Sequence, residues 1–194
     1  MTPVVIKIGG GLLGMPGALE AVCATVGAMG RREAVVVVPG GGPFADAVRE
    51  LDRTTGISAD TAHWMAILAM DQYAHVLAER IDGAALVEDA GAIAGALAAG
   101  QVAVLALSRW LRAADPLPHS WDATSDSVAA FVAGALDAKR LVLVKPGEVG
   151  EEGVDRCFVT VVPVGLEVSV VGWNRFTGVR VTMPLGDRPS RRAR

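Results

Sequence analysis

The chain has 194 residues, of which 52% are hydrophobic, and its formal net charge is −3. This length suits a single domain with a substantial core, and the charge argues against nucleic acid as a partner. No apolar run approaches the roughly 20 residues of a spanning helix, so no membrane partner is expected either. The start of the chain lacks a signal-peptide pattern, and Cys23 and Cys157 belong to no paired motif. These features predict a cytoplasmic protein with reduced thiols.

In chain order, short apolar runs alternate with segments of helical periodicity, a pattern typical of an α/β fold with a mainly parallel sheet covered on both faces. The predicted strands are residues 4–8, 34–38, 84–87, 102–107, 141–144 and 168–171, with an edge strand at 179–182. The predicted helices are residues 15–29, 44–52, a long helix that Ser58 or Asp60 caps and that ends near Arg80, and 126–136. Residues 159–171 fit either a helix and a strand or two strands.

Two glycine runs follow predicted strands, and ligands of parallel sheets bind at this edge. The runs are Gly9, Gly10, Gly11 and Gly40, Gly41, Gly42. Backbone amides of such loops, placed at helix starts, bind phosphate oxygens. Lys7 lies in the otherwise apolar first strand, and because an unpaired lysine is costly to bury, we expect it to point toward an anion. Lys145 ends the strand at 141–144 and is a second candidate for phosphate.

A polar segment precedes the predicted helix at 126–136. Its candidate ligand-binding residues are His119, Trp121, Thr124, Ser125 and Asp126. Helix capping by Thr124 or Ser125, with Asp126 favouring the helix dipole, explains part of this segment. Capping does not explain His119 and Trp121, so the pattern favours a ligand site.

Two familiar nucleotide motifs fit poorly. Gly9, Gly11 and Gly14 match G-x-G-x-x-G, but no acidic residue follows the second strand, as a dinucleotide site requires. The G-K-[ST] of a P-loop is absent. A dinucleotide-binding oxidoreductase is therefore the least favoured alternative.

Three segments together resemble the amino-acid-kinase superfamily over most of the chain. They are residues 7–11 (KIGGG), 39–52 (PGGGPFADAVRELD) and 119–127 (HSWDATSDS). The first two are typical of the whole superfamily, whereas the third is similar to the kinases of methanofuran biosynthesis, which act on an aminomethylfuran-methyl phosphate. The resemblance implies a three-layer αβα sandwich and a homo-oligomer, dimeric or larger. It also implies transfer of the ATP γ-phosphate, with Mg, to a phosphate-monoester small molecule.

The resemblance also implies residue roles. Lys7, Asp126 and Lys145 would be catalytic, with Asp126 orienting the two lysines, and Gly9, Gly10 and Gly11 would bind the ATP phosphates. The acceptor would contact Gly40, Gly41, Gly42, His119, Trp121, Thr124 and Ser125. No residue is expected to ligate a metal, because Mg would bind the ATP phosphates.

The chain departs from the superfamily pattern after Lys145, where a shorter section reaches the last elements quickly. We therefore expect one domain over residues 1–185, with an acceptor part at about 1–115 and a shortened nucleotide part at about 116–185. Residues 186–194 form a basic tail, for which disorder is expected. The short section keeps open a non-catalytic relative that binds phosphate-like anions or serves as an assembly subunit.

Overall fold

The computed structural model describes residues 2–147 and 153–178, and its centre is a six-stranded, fully parallel sheet. The strands are β1 (Val4–Ile8), β2 (Val35–Pro39), β3 (Ala84–Val87), β4 (Val102–Leu105), β5 (Arg140–Lys145) and β6 (Glu167–Gly172). Their order across the sheet is β3-β4-β2-β1-β5-β6, so β1 lies between β2 and β5. The carboxyl ends of these three strands therefore meet at one edge of the sheet.

Helices cover both faces of this sheet and make the three-layer αβα sandwich. They are α1 (Ala18–Gly30), α2 (Gly42–Thr55), α3 (Ala59–Arg80), α4 (Ala90–Ala98), α5 (Ser108–Ala114), α6 (Ser125–Ala135), α7 (Phe158–Val161) and α8 (Trp173–Thr177). A single 3₁₀ segment, Gly10–Gly14, links β1 to α1. Among the described residues, no helix combines the length and apolar character needed to cross a bilayer.

Alternation along β1 sends its side chains to two separate cores. Val4, Ile6 and Ile8 pack in the core that contains α1, whereas Val5 packs in the core that contains α6. Lys7 follows the same alternation and so lies on the α6 side of the sheet. It is buried there, with only 5% of its surface exposed. The fold thus places a buried lysine next to α6.

The structure confirms the predicted α/β sandwich and most of its elements, with differences at the ends. The helix predicted from residue 15 begins at Ala18, because the 3₁₀ segment occupies the preceding residues. Segment 159–171 takes the helix-and-strand alternative as α7 and β6. Helices α4 and α5 were not predicted. The predicted edge strand 179–182 and the basic tail lie outside the described residues.

The two glycine loops pack directly against each other, backbone to backbone. A Cβ on Gly10 would lie 2.1 Å from the amide nitrogen of Gly42, and one on Gly40 would lie 2.6 Å from the amide nitrogen of Gly10. Gly42 also has a φ of +54°, which favours glycine. Close approach of the loops therefore explains part of the glycine content that the sequence assigned to phosphate binding alone.

We predict that Gly10→Ala lowers the free energy of unfolding by about 2–3 kcal/mol, because the new methyl group overlaps the backbone of Gly42. Gly14→Ala is the matched control, since a Cβ there meets nothing within 4 Å. It should leave stability unchanged or raise it slightly. Urea unfolding of both variants measures the difference, and equal stability would contradict the close contact of the loops.

Candidate functional site

Three charged side chains meet at the carboxyl edge of the sheet. Lys7 Nζ lies 2.9 Å from Asp126 Oδ1, and Lys145 Nζ donates to Asp126 Oδ2 at 2.5 Å. The Lys7 contact pairs the charges without the alignment of a hydrogen bond. The side chains of Lys7 and Asp126 are 6% and 4% exposed, and that of Lys145 is 19% exposed. Two of the three lysines in the chain therefore converge on one buried carboxylate.

Burial and charge act in opposite directions on this cluster. Burial lowers the pKa of Lys7, and the Asp126 carboxylate only partly offsets that effect. Burial would raise the pKa of Asp126, but the charges of Lys7 and Lys145 hold the pKa of that carboxyl below its usual value. Asp126 is therefore ionised. A bound anion would add the second negative charge that two lysines can compensate.

Asp126 stands in the first turn of α6, and a distant residue holds that turn in place. Asp155 Oδ2 accepts hydrogen bonds from the amides of Thr124 and Ser127, at 2.9 and 3.0 Å, and from the Thr124 hydroxyl at 2.7 Å. Its Oδ1 accepts from the Ser127 hydroxyl and from the Phe158 amide. Thr124 occupies the N-cap position of α6, but its side chain forms no capping bond there. Asp155 caps the helix instead, which the sequence did not indicate.

A cavity of about 480 Å³ reaches the start of α6 at Ser125, the residue before Asp126, and we call it the α2–α3 cavity. Lys7, Asp126 and Lys145 themselves do not line it. Its walls are the two glycine loops, α2, α3 and the segment from Leu117 to the start of α6. Of the predicted site residues, those that line it are Gly10, Gly11, Gly41, Gly42, Trp121, Thr124 and Ser125. The structure therefore brings both glycine loops and the 119–127 segment to one space, and ligand binding in that space stays a prediction.

The other two predicted glycines, Gly9 and Gly40, do not line the cavity. Gly9 donates its amide to Val144 O at 2.9 Å, and Gly40 donates to Ile8 O at 2.8 Å. These bonds extend the sheet at its edge. Gly10, by contrast, opens the 3₁₀ segment, and Gly41 and Gly42 open α2. Amides in the first turn of a helix have no partner within that helix and are suited to bind an anion.

His119 does not line the cavity but holds its wall. Its two ring nitrogens contact Asp60, in the first turn of α3, and Asp115, at 2.9 Å from Nε2. The His119 ring stacks on that of His63, with centroids 4.0 Å apart. Hydrogen bonds to Asp115 and Asp60 raise the pKa of His119, whereas burial and the neighbouring His119 lower the pKa of His63. The charged His119 thus ties segment 115–121 to α3.

The same residues are also a possible metal set. One ligand atom from each of His63, Asp115 and His119 lies within 4.8 Å of the others. However, carboxylates engage both nitrogens of His119, and the two imidazole rings are nearly parallel at 16°. Stacked rings cannot aim their in-plane lone pairs at one ion. The arrangement therefore fits an imidazolium between carboxylates better than a metal centre.

Sequence reasoning missed most side chains on the helical walls of the cavity, among them His63 and Asp52. His63 did not stand out in the sequence as a ligand-binding residue, yet it lines the α2–α3 cavity. Asp52 also lines it and accepts a hydrogen bond from Trp121 Nε1 at 2.8 Å. Helical spacing offers a signal for His63, because Ala59, His63, Ala66 and Met70 form an i, i+4, i+7, i+11 stripe on one face of α3. The same spacing marks Asp52, because Gly42, Ala45, Arg49 and Asp52 form an i, i+3, i+7, i+10 stripe on one face of α2.

A parallel sheet with glycine loops at its carboxyl edge, each leading into a helix, is the architecture of a phosphate-binding α/β protein. Residues 2–146 match the amino acid kinase family. Since this match covers most of the chain, the protein belongs to the amino acid kinase family.

The chain is also similar in sequence to an individual kinase. The chain is 32% identical over 109 residues to the [5-(aminomethyl)furan-3-yl]methyl phosphate kinase of Methanocaldococcus jannaschii. The match covers 56% of this chain and 50% of that enzyme. The chain therefore aligns with only half the length of this relative.

Solved structures agree on the fold. Uridylate kinase from Archaeoglobus fulgidus superposes with a TM-score of 0.59 at 21% identity, over 76% of this chain and 65% of that one. UMP kinase from Ureaplasma parvum gives 0.60 at 19%, over 79% and 74%. Aspartate kinase from Synechocystis gives 0.60 at 17%, over 76% and 28%. At these identities the likeness shows the shared fold.

We predict that Asp155→Ala lowers the free energy of unfolding by about 3 kcal/mol, because it removes the cap of α6 and charged hydrogen bonds to several donors. Asp122→Ala is the control, since within the described residues the Asp122 side chain forms only an exposed ion pair with Arg156 at 3.5 Å. Its effect should stay within about 0.5 kcal/mol. Equal effects of the two substitutions in urea unfolding would contradict the capping role.

We also predict a pH-dependent contribution from His119. Because its pKa is raised in the folded protein, its contacts stabilise fully below the usual histidine pKa of about 6.5 and lose effect as the pH rises through the raised value. His119→Gln should therefore cost more stability at pH 6 than at pH 9. In an Asp60→Asn, Asp115→Asn background that difference should vanish. A pH-independent cost in the native background would show that His119 is not held as an imidazolium.

Proposed function

We propose that this protein is an ATP-dependent kinase that transfers the γ-phosphate to the phosphate group of a small phosphate monoester. The observation that carries the proposal is the convergence of Lys7 and Lys145 on the buried Asp126, at the edge where both glycine loops emerge. The family match and the M. jannaschii relative support the same reaction class.

The cluster suits a polyanion because its charges sum to +1 before any ligand binds. Asp126 keeps the ammonium groups of Lys7 and Lys145 close together, which their mutual repulsion would otherwise oppose. The first-turn amides of Gly10 and Gly41 add partial positive charge along the cavity wall. An incoming phosphate therefore meets fixed positive groups without rearrangement of the site.

The proposed transfer needs positioning and charge compensation. An oxygen of the acceptor phosphate attacks the γ-phosphorus of ATP, and the bond from that phosphorus to the β–γ bridging oxygen breaks. The products are ADP and a diphosphate. The acceptor needs no general base, because a phosphate monoester with a second pKa of about 6 is already ionised near neutral pH. Lys7 and Lys145 would stabilise the charge on the transferring group.

Mg would supply further charge compensation on the ATP phosphates when bound. Asp126 is an unsuitable ligand for it, since both of its oxygens already face lysine ammonium groups. This agrees with a metal that binds through the nucleotide rather than through a dedicated protein site.

For the acceptor, we propose an aminomethylfuran-methyl phosphate of one-carbon cofactor biosynthesis, the compound named for the M. jannaschii relative. The size of the α2–α3 cavity, about 480 Å³, accommodates a single furan ring with two short arms. Apolar side chains such as Ile57, Ile67 and Met70 line the cavity and would pack against such a ring.

A second candidate is a non-catalytic member of the fold that binds phosphate-like anions or acts as an assembly subunit. The family match ends at residue 146, so it does not extend to the segment after β5. Such a protein would keep the lysine cluster and the glycine loops but would not turn over ATP.

We predict that purified protein converts [5-(aminomethyl)furan-3-yl]methyl phosphate to its diphosphate in the presence of ATP and Mg. Lys7→Met should lower kcat by about 100–1000-fold, because it removes a positive charge from the transferring phosphate. Lys139→Met is the matched control, since Lys139 pairs with Glu33 and its amide binds Pro3 at the opposite end of the sheet. Its activity should stay within about twofold of wild type.

Phosphorus NMR of the reaction separates the two candidates. A diphosphate signal that Lys7→Met abolishes supports the kinase. Binding of the furan phosphate without formation of any diphosphate, under the same conditions, would contradict the kinase proposal and favour the anion-binding alternative.

A further inference from the structure

We propose that Asp52 forms a cation subsite at the end of the α2–α3 cavity remote from the glycine loops, and that it selects acceptors with a protonated amine opposite their phosphate. The inference rests on the proposed function and adds to it the residue that determines acceptor specificity. It follows from the charges that line the cavity and from the length of its helical walls.

The cavity has two chemically different ends. Gly41 and Gly42 open α2, and Asp52 lies in its last turns, ten residues further on. At the helical rise this separation is about 15 Å along the axis. The wall from α3 is of similar length, because its lining residues run from Ala59 to Met70. A ligand that fills the cavity therefore touches helix-start amides at one end and Asp52 at the other.

Asp52 supplies the uncompensated charge of this wall. Asp46 and Arg49, the other ionised residues of α2 that line the cavity, pair with each other at 2.7 Å. The Arg49 guanidinium also lies over the Trp121 ring, 4.8 Å from its centroid. Among the described residues, the Asp52 carboxylate accepts only the neutral indole N–H of Trp121, and no lysine or arginine forms an ion pair with it.

The nearby carboxylates outside this wall share one counter-charge. Asp60 and Asp115 both contact the His119 imidazolium, which offsets one of their two negative charges. Neither of them lines the cavity, so the carboxylate that faces a ligand cation without a charged partner is that of Asp52. Its half-buried position beside Trp121 makes that attraction stronger than at an open surface.

The proposed acceptor matches the distance between the two ends. In an extended aminomethylfuran-methyl phosphate, standard bond lengths separate phosphorus from the amine nitrogen by roughly 8 Å. A hydrogen bond of about 3 Å at each end brings the total to about 14 Å. This is close to the axial separation of about 15 Å between Gly42 and Asp52. The amine of the same molecule can thus reach Asp52 while its phosphate contacts the glycine loops.

The test is calorimetric titration with two probes, [5-(aminomethyl)furan-3-yl]methyl phosphate and its 5-methyl counterpart, which lacks the charge. We expect wild type to bind the amine about 10–100-fold more tightly, the range for a charge-assisted hydrogen bond. Asp52→Asn should remove this preference and leave the affinity for the methyl compound unchanged. The asparagine oxygen can still accept from Trp121, so only the charge is lost.

Glu50→Gln is the matched control, because Glu50 is on the same helix, pairs with Arg53 and does not line the cavity. It should keep the preference for the amine. Equal binding of both probes by wild type, or an undiminished preference in Asp52→Asn, would overturn the subsite and leave the kinase intact. Binding of neither probe would overturn the proposed acceptor and the subsite together. A preference lost in Asp52→Asn without phosphate transfer would support the subsite in a non-catalytic protein.

Discussion

The ion pairs of Asp126 with Lys7 and Lys145 join three segments that are distant in sequence, β1, α6 and β5. Burial disfavours the charged forms of both Lys7 and Asp126, since it lowers the pKa of the lysine and would raise that of the carboxyl. Each of the two buried charges therefore depends on an opposite charge beside it. The cluster therefore requires all three elements in place, and its residual positive charge is a consequence of two lysines on one carboxylate.

The surrounding architecture provides that placement. Alternation in β1 directs Lys7 to the α6 face, while the parallel register sets Lys7 beside Leu143, two residues before Lys145 in β5. Asp155 fixes the first turn of α6 and with it the position of Asp126. Contact between Gly10 and Gly42 brings the two loops together above the same edge. One set of backbone constraints thus shapes both the charged cluster and the cavity wall.

The features that the sequence predicted well are local ones. Strand β1 is a continuous apolar run, and the Ser58 side chain accepts from the Thr61 amide to start α3 as expected. Lys7 was identifiable because a lysine in a buried strand demands a partner. Asp155 carries no such signal, because it lies in a polar segment where an aspartate does not require a buried partner. Asp155 caps α6 from 28 and 31 residues away, so no spacing rule could assign it.

Other misses have equally physical causes. Helix α4 contains Gly91 and Gly95, which weaken its helical pattern, and α5 has only seven residues. The role of His119 depends on Asp60 in another helix, which only the fold brings near. Glycine content was read as phosphate binding alone, because a close contact between two loops leaves the same signature as a close contact between a loop and a ligand.

The division between the two ends of the cavity bears on how one fold serves different acceptors. Uridylate kinase and aspartate kinase share this sandwich at 21% and 17% identity, yet their names specify different substrates. Backbone amides and lysine charges recognise any phosphate, so the glycine loops cannot distinguish one monoester from another. Discrimination must come from side chains further along the cavity. In this chain those are carried by α2, α3 and the segment around Trp121, which pack against one another and form no part of the sheet. Their sequence can change while the glycine loops stay constant.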